Sequence, residues 1–191
     1  LPNTKFVFPT GAPKKTTVFG GSETNSWFDI HTFADRTVGE DDQIPGLSES
    51  IAYLRSLVEE EVDILVQGGV ERGEARKRIV VAGFSSGAAL TVLGMLSGEW
   101  EIGGAIGGYV GMSGWLPFRL NIERVLDAAE DRSKILLCHG EMDVKMRYEW
   151  GVQMRDTLEQ IGFDFHFKSY PELDHWVCGE EMVDVVEFLK Q

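Results

Sequence analysis

The chain is poor in cysteine, histidine and positive charge. Its 191 residues include two cysteines, too few for a disulfide framework. A single domain of this length buries roughly 70% of its unfolded surface and needs no such staple. Lysine and arginine number 18 against 31 aspartates and glutamates, a formal charge of −13. No basic stripe offsets that charge, which argues against a nucleic-acid partner and against unaided adhesion to anionic membranes. No apolar run reaches the roughly 18 residues of a membrane-spanning helix, and no signal-peptide pattern is visible. Cys138 sits in an apolar run and reads as a core thiol, whereas Cys178 is free or paired. We expect a reducing, cytoplasmic setting. The chain opens Leu1-Pro2 without an initiator methionine, so a start further upstream is expected.

Apolar residues at 43% and charged residues at 26% fit one globular domain over residues 1–191. Ile79 to Ala82 and Ile135 to Cys138 are continuous apolar runs, the pattern of strands covered on both faces. Phe6 to Pro9, Ala105 to Met112 and Phe163 to Tyr170 are further strand candidates. The last alternates and belongs toward a sheet edge. Between them run helices: one capped by Ser48 and stopped at Gly68-Gly69, then Ala88 to Leu96, Asn121 to Ala129, Arg147 to Ile161 and Glu180 to Lys190. The acidic run Glu59-Glu60-Glu61 reads as a solvated helix face. Alternating strand and helix predicts an α/β fold with a mostly parallel sheet flanked by helices. Residues 10–47 show little periodicity and are expected to be a long loop that lines a site.

The chemistry centres on Gly83-Phe84-Ser85-Ser86-Gly87, which fits Gly-x-Ser-x-Gly between an expected buried strand and an expected helix. Such a turn holds its central serine in a strained backbone conformation with the hydroxyl projecting. Side chains at 83 and 87 are expected to collide with the turn. Ser86 is out of register for the nucleophile, but its N–H lies at the helix start, where it can hold an oxyanion. Ser113 lacks the second spaced glycine. Among the four histidines, His166 reads as a packed or surface residue, while His175 lies in a loop past the last strand. Asp143 also sits past a strand end, with Glu141 and Asp174 as rivals for the acid role. The order Ser85, Asp143, His175 is that of an α/β-hydrolase.

These residues resemble the acyl-protein thioesterase, or phospholipase/carboxylesterase, family of the α/β-hydrolases. The matching segments are Ser26-Trp27-Phe28-Asp29-Ile30, Arg78 to Leu90, Met112 to Pro117, Cys138-His139-Gly140 leading to Asp143, and His175. The stretch GFSSGAAL stands where the family has GFSQGGAL, so Ser86 replaces a glutamine, and Val144 replaces a proline. The resemblance implies Ser85 as nucleophile, Asp143 as orienting acid and His175 as base. It also implies a groove for an acyl chain, with Trp27, Trp115 and Leu116 either lining it or packing in the core. The family's upstream strand and its His-Gly-x-Gly-type loop, which supplies a second oxyanion donor, precede the part of the pattern found here. A fragment lacking that strand, slow or inactive in turnover, is therefore expected, with Gly20-Gly21 as the candidate for a substitute donor. The implied activity is hydrolysis of carboxylic esters or thioesters, of an acylated protein or a lysolipid, without metal or cofactor. The alternatives are an inactive hydrolase-fold binding protein and a peptidase or lactone hydrolase of the same fold.

Overall fold

Strand and helix alternate along most of the chain, and the order of the strands decides where the site forms. The computed structural model describes residues 3–39, 43–126 and 133–191. An antiparallel hairpin comes first, β1 (Pro13–Thr16) and β2 (Ser22–Asn25). It lies within the stretch expected to be loop. Its residues, PKKT and SETN, are too polar to announce a strand, and the pairing is held by the turn at Gly20 and Gly21 (φ 66° and 78°). Next comes α1 (Leu47–Gln67), whose N-cap is Gly46 at φ 86° rather than Ser48. Glycine takes that left-handed turn without strain, which places Ser48 inside the first helical turn. Then follow α2 (Arg72–Lys77), β3 (Val80–Phe84), α3 (Ser86–Leu96), β4 (Gly108–Met112), β5 (Ile135–Gly140), α4 (Tyr148–Gln160), β6 (His166–Tyr170) and α5 (Gly179–Phe188).

The four strands β3, β4, β5 and β6 lie side by side in chain order, all parallel. All six residues of β5 are buried, as its unbroken apolar run predicts. Alternate residues face opposite sides. Tyr109, Ile135 and Leu137 enter the larger core with α3 and α4, while Val110, Leu136 and Cys138 pack with Phe188 of α5. β6 is an edge strand, as its alternation predicts. β3 is the other edge, and its Ala82 is exposed. The expected strand at Phe6 to Pro9 does not form: Phe6, Val7 and Phe8 are exposed and pair with no described strand. Extended apolar sequence becomes a strand only where another strand accepts its hydrogen bonds.

Helix α3 is the centre of the packing, buried at every residue from Ala88 to Leu96. Trp100 lies against it so closely that a Cβ on Gly94 would come within 2.3 Å of the indole. The short α2 escapes sequence reading because it is six residues long and mostly charged. What fixes it is Arg76, almost fully buried, which donates from Nε to Gly104 O (2.7 Å), from Nη2 to Trp100 O (2.6 Å) and from Nη1 to Glu59. The acidic run is thus more than a solvated face, since Glu59 is the counter-charge of a buried guanidinium. The expected helix from Asn121 is a 3-10 segment, Arg119–Arg124, and residues 127–129 lie outside the described part.

Candidate active site

The elbow after β3 is built as the serine motif requires. Ser85 sits at φ 57°, ψ −119°, a conformation costly for a residue with a side chain. Ser85 N–H donates to Met112 O (2.9 Å), and its carbonyl accepts from Ala89 N–H (3.1 Å), so strand and helix grip it from both sides. A Cβ on Gly83 would lie 2.2 Å from the Gly87 carbonyl, which makes glycine obligatory there. Gly87 differs from expectation: a Cβ there would meet only Trp27 Nε1 at 3.9 Å, an ordinary contact. The turn closes on the β3 side, so only one of the two glycines is demanded by space. Ser86 opens α3, and its N–H is among the donors a helix start leaves free.

His175 Nε2 lies 3.1 Å from Ser85 Oγ, and its Nδ1 lies 2.7 Å from Asp143 Oδ2. Three side chains from three strand ends therefore form one hydrogen-bonded line. Asp143 is buried, and its Oδ1 accepts from Lys145 N–H (3.0 Å) and Met146 N–H (2.7 Å). That leaves Oδ2 facing the imidazole. The rival acids point elsewhere. Glu141 accepts from Ser169 Oγ (2.7 Å) at the surface. Asp174 accepts from the N–H of His175 (2.7 Å) and that of Val144 (3.4 Å); these bonds hold its carboxyl below the usual range and tie the two loops together. Phe84 lies against the His175 ring, with centroids 4.8 Å apart.

The other histidines are placed by different forces. His139 is fully buried, and its Nε2 lies 2.7 Å from Met146 O, an acceptor, so the proton is on Nε2. Burial holds it below the usual histidine range, and the neutral ring buttresses the Asp143 loop. His166 is exposed on the edge strand, and His31 pairs with Asp29 (3.3 Å). Both cysteines are free. Burial pushes the Cys138 thiol up to about 12, which removes it as a nucleophile at neutral pH, and Cys178 Sγ caps α5. Among the described residues no group of three His, Cys, Asp or Glu side chains is placed to hold a metal ion, and no helix is long and apolar enough to cross a membrane.

Ser85 and Ser86 open into a cavity of about 450 Å³. Trp27 and Trp115 line it, and Trp115 is at the same time a member of the buried core. Leu116 is buried in the core cluster that also holds Trp115, and it is not among the residues that line the cavity. Phe19, Phe33, Arg36 and Met146 also line the cavity and were not anticipated. The hairpin and its following loop carry the first three, and position in an irregular segment leaves no periodic signal. Gly20 and Gly21 are no substitute oxyanion donors, since their N–H groups already donate to Thr17 O and Thr16 O in the hairpin turn.

A family model described as phospholipase/carboxylesterase matches residues 1–191. The chain belongs to the phospholipase/carboxylesterase family. Among its relatives, "Acyl-protein thioesterase 1" of Mycosarcoma maydis is 30% identical over 195 residues, covering 100% of this chain and 79% of the relative. "Probable carboxylesterase SOBER1-like" of Arabidopsis thaliana is 31% identical over 189 residues, covering 99% and 67%. The crystal structure of Arabidopsis thaliana SOBER1 shares the fold with a TM-score of 0.80 at 23% identity, over 99% of this chain and 84% of that one. Zea mays acyl-protein thioesterase 2 gives 0.72 at 28% identity, over 95% and 78%. The fold is that of the α/β-hydrolases, and the family membership makes this chain a serine esterase or thioesterase, a hydrolase of esters or thioesters.

Proposed function

We propose that Ser85, His175 and Asp143 carry the hydrolysis through an acyl-enzyme. The observation that supports this most is the unbroken line from Asp143 Oδ2 to His175 to Ser85 Oγ, at 2.7 and 3.1 Å. In this reading His175 Nε2 takes the Ser85 proton as Oγ attacks the acyl carbonyl. Asp143 accepts from Nδ1–H, which fixes the tautomer with a bare Nε2 and stabilises the imidazolium. The Ser86 N–H donates to the oxyanion. Collapse of the tetrahedral intermediate expels the alcohol or thiol, which leaves with the proton from His175. Water, deprotonated by the same nitrogen, then attacks the acyl-serine and frees Ser85 with release of the acid.

The aromatic lining at Trp27, Trp115, Phe19 and Phe33 favours an acyl chain in the cavity. The name of the Mycosarcoma maydis relative adds an acylated protein to the candidate substrates, beside a lysolipid. Two free thiols favour a cytoplasmic setting. The test is labelling with a fluorophosphonate, mapped by peptide mass spectrometry. We expect the adduct on Ser85, no adduct in Ser85→Ala, and loss of ester and thioester turnover in that variant. An unlabelled Ser85 would overturn the reading and leave a hydrolase-fold binding protein.

A further inference from the structure

Among the described residues, Arg76 and Arg36 are both drawn inward, and they are treated differently. Arg76 spends Nε, Nη1 and Nη2 on a carbonyl, a carboxylate and a second carbonyl. Arg36, in the wall of the Ser85 cavity, has no carboxylate partner among the described residues. Its Nε is buried without an acceptor, and its one hydrogen bond among the described residues is a long contact from Nη1 to Thr32 O (3.4 Å). Three rings surround the guanidinium carbon instead: Trp115 at 4.6 Å, Phe33 at 5.1 Å and Trp150 at 5.2 Å. Ring faces attract a cation but accept no strong hydrogen bond.

Among the described residues the carboxylates of the same loop, Asp29 and Asp35, are already engaged. Asp29 accepts from Thr17 N–H (2.7 Å) and Thr17 Oγ1 (2.5 Å) and pairs with His31, while Asp35 accepts from the N–H and hydroxyl of Thr37 (2.9 and 2.7 Å). Burial lowers the Arg36 pKa to about 10, so it stays charged at neutral pH. The rings stack the guanidinium and hold it in place. A planar fork so held, with donors free, matches the oxygens of a carboxylate or phosphate. A charge with donors unmet is costly in a partly dry wall unless an anion arrives. Arg36 and Ser85 line the same cavity, so that anion belongs to the molecule whose ester lies at Ser85.

We propose that Arg36 is a specificity residue that binds an oxyanion group, carboxylate or phosphate, carried by the substrate beside its ester or thioester. This rests on the cavity being the substrate site, and it selects anionic acyl esters over neutral ones of equal size. The oxyanion comes from either side of the scissile bond, and the two sources are separable. One probe pair is monoethyl adipate against ethyl hexanoate, with the carboxylate on the acyl side. The other is hexanoyl glycerol phosphate against hexanoyl glycerol, with the phosphate on the leaving side.

Binding is measured by tryptophan fluorescence on the full chain carrying Ser85→Ala, so the result does not depend on turnover. At least one anionic probe is expected to bind about 10- to 100-fold tighter than its neutral partner, the range of a charge-assisted hydrogen bond made in a partly desolvated wall. Adding Arg36→Gln should bring that ratio close to one. Arg36→Lys, which keeps the charge but not the fork, should bring it partway down and serves if the glutamine variant does not fold. Comparable affinity within both pairs, or a preference that survives the loss of Arg36, would overturn the proposal. A merely structural Arg36 would move the melting temperature and leave the ratio alone. Failure of Ser85 labelling in the unmutated chain counts against the acyl-enzyme reading, independently of this ratio.

Discussion

Replacing Asp143 by asparagine tests the proposed chemistry most sharply, because the surroundings dictate how the amide must sit. Asp143 Oδ1 accepts from two backbone donors, Lys145 N–H and Met146 N–H, at 3.0 and 2.7 Å. In Asp143→Asn the carbonyl oxygen must keep that place, since an NH2 there would face two N–H groups. The NH2 then faces His175 Nδ1, where Asp143 Oδ2 now lies at 2.7 Å. A donor on that side forces the imidazole to carry its proton on Nε2. That nitrogen then donates to Ser85 Oγ and cannot take its proton. The loss should be about 10⁴-fold in kcat, as expected for a triad held in the wrong tautomer. Stability should change little, because the backbone donors stay satisfied. Asp143→Ala differs: it leaves the buried Met146 N–H without an acceptor, at about 1–3 kcal/mol, and removes the acceptor of the Lys145 N–H as well. Turnover of an ester, the rate of fluorophosphonate labelling and a urea unfolding curve on each variant decide the matter. If Asp143→Asn kept activity within tenfold of the unmutated chain, the assignment of the acid would be wrong. If Asp143→Ala unfolded at the same urea concentration as the unmutated chain, the account of the Asp143 loop would be.

Glu181 is fully buried, with neither carboxylate oxygen hydrogen-bonded among the described residues, and burial raises it to about 7. Its folded pKa lies above the unfolded value, so the folded state holds the extra proton; this group's contribution falls as pH rises from about 4.5 through 7. Melting temperatures across that range should decline more for the unmutated chain than for Glu181→Gln, and equal slopes would refute it. Gly83→Ala should abolish folding or lower the melting temperature steeply, because the added Cβ meets backbone at 2.2 Å. Gly87→Ala, inside α3 with open space, should be neutral or add up to about 1 kcal/mol; circular dichroism melts read both. Trp27→Ala should raise KM for longer acyl esters with little change in stability, whereas Leu116→Ala should lose about 2–5 kcal/mol and keep the chain-length profile. A chain-length shift in Leu116→Ala would return that residue to the groove.

The parts legible in the sequence are those where one local rule decides the outcome. A strand buried on both faces must be apolar throughout, and Ile135 to Cys138 declares itself for that reason. A strand that turns into a helix within a few residues must hold one residue at positive φ, so Gly83 and Ser85 declare the elbow. The hairpin carries no such mark, because PKKT and SETN are mostly solvent-exposed and held by pairing with each other. Phe6 to Phe8 errs in the opposite direction. The composition suits a strand, but hydrogen bonds from a neighbour make the strand, and no described neighbour provides them.

The candidate site divides along the same line: the proposed reacting groups are legible in the sequence, and the walls are not. Ser85, Asp143 and His175 each follow directly from a strand end or its loop, and a parallel sheet brings all its carboxyl ends to one rim. Topology alone therefore gathers them, whatever the intervening sequence. The wall residues Phe19, Phe33 and Arg36 come from a segment with no period, and their place depends on tertiary contacts. For Arg36 those contacts are with rings as distant in sequence as Trp115 and Trp150. A lone arginine in an acidic, irregular stretch looks like surface charge. Its meaning arises only when the fold closes three rings around it, commits Asp29 and Asp35 to other partners, and sets it beside Ser85 in one cavity. On the proposed reading, the reacting groups are carried by local motifs, while the contact that would select the substrate depends on long-range packing.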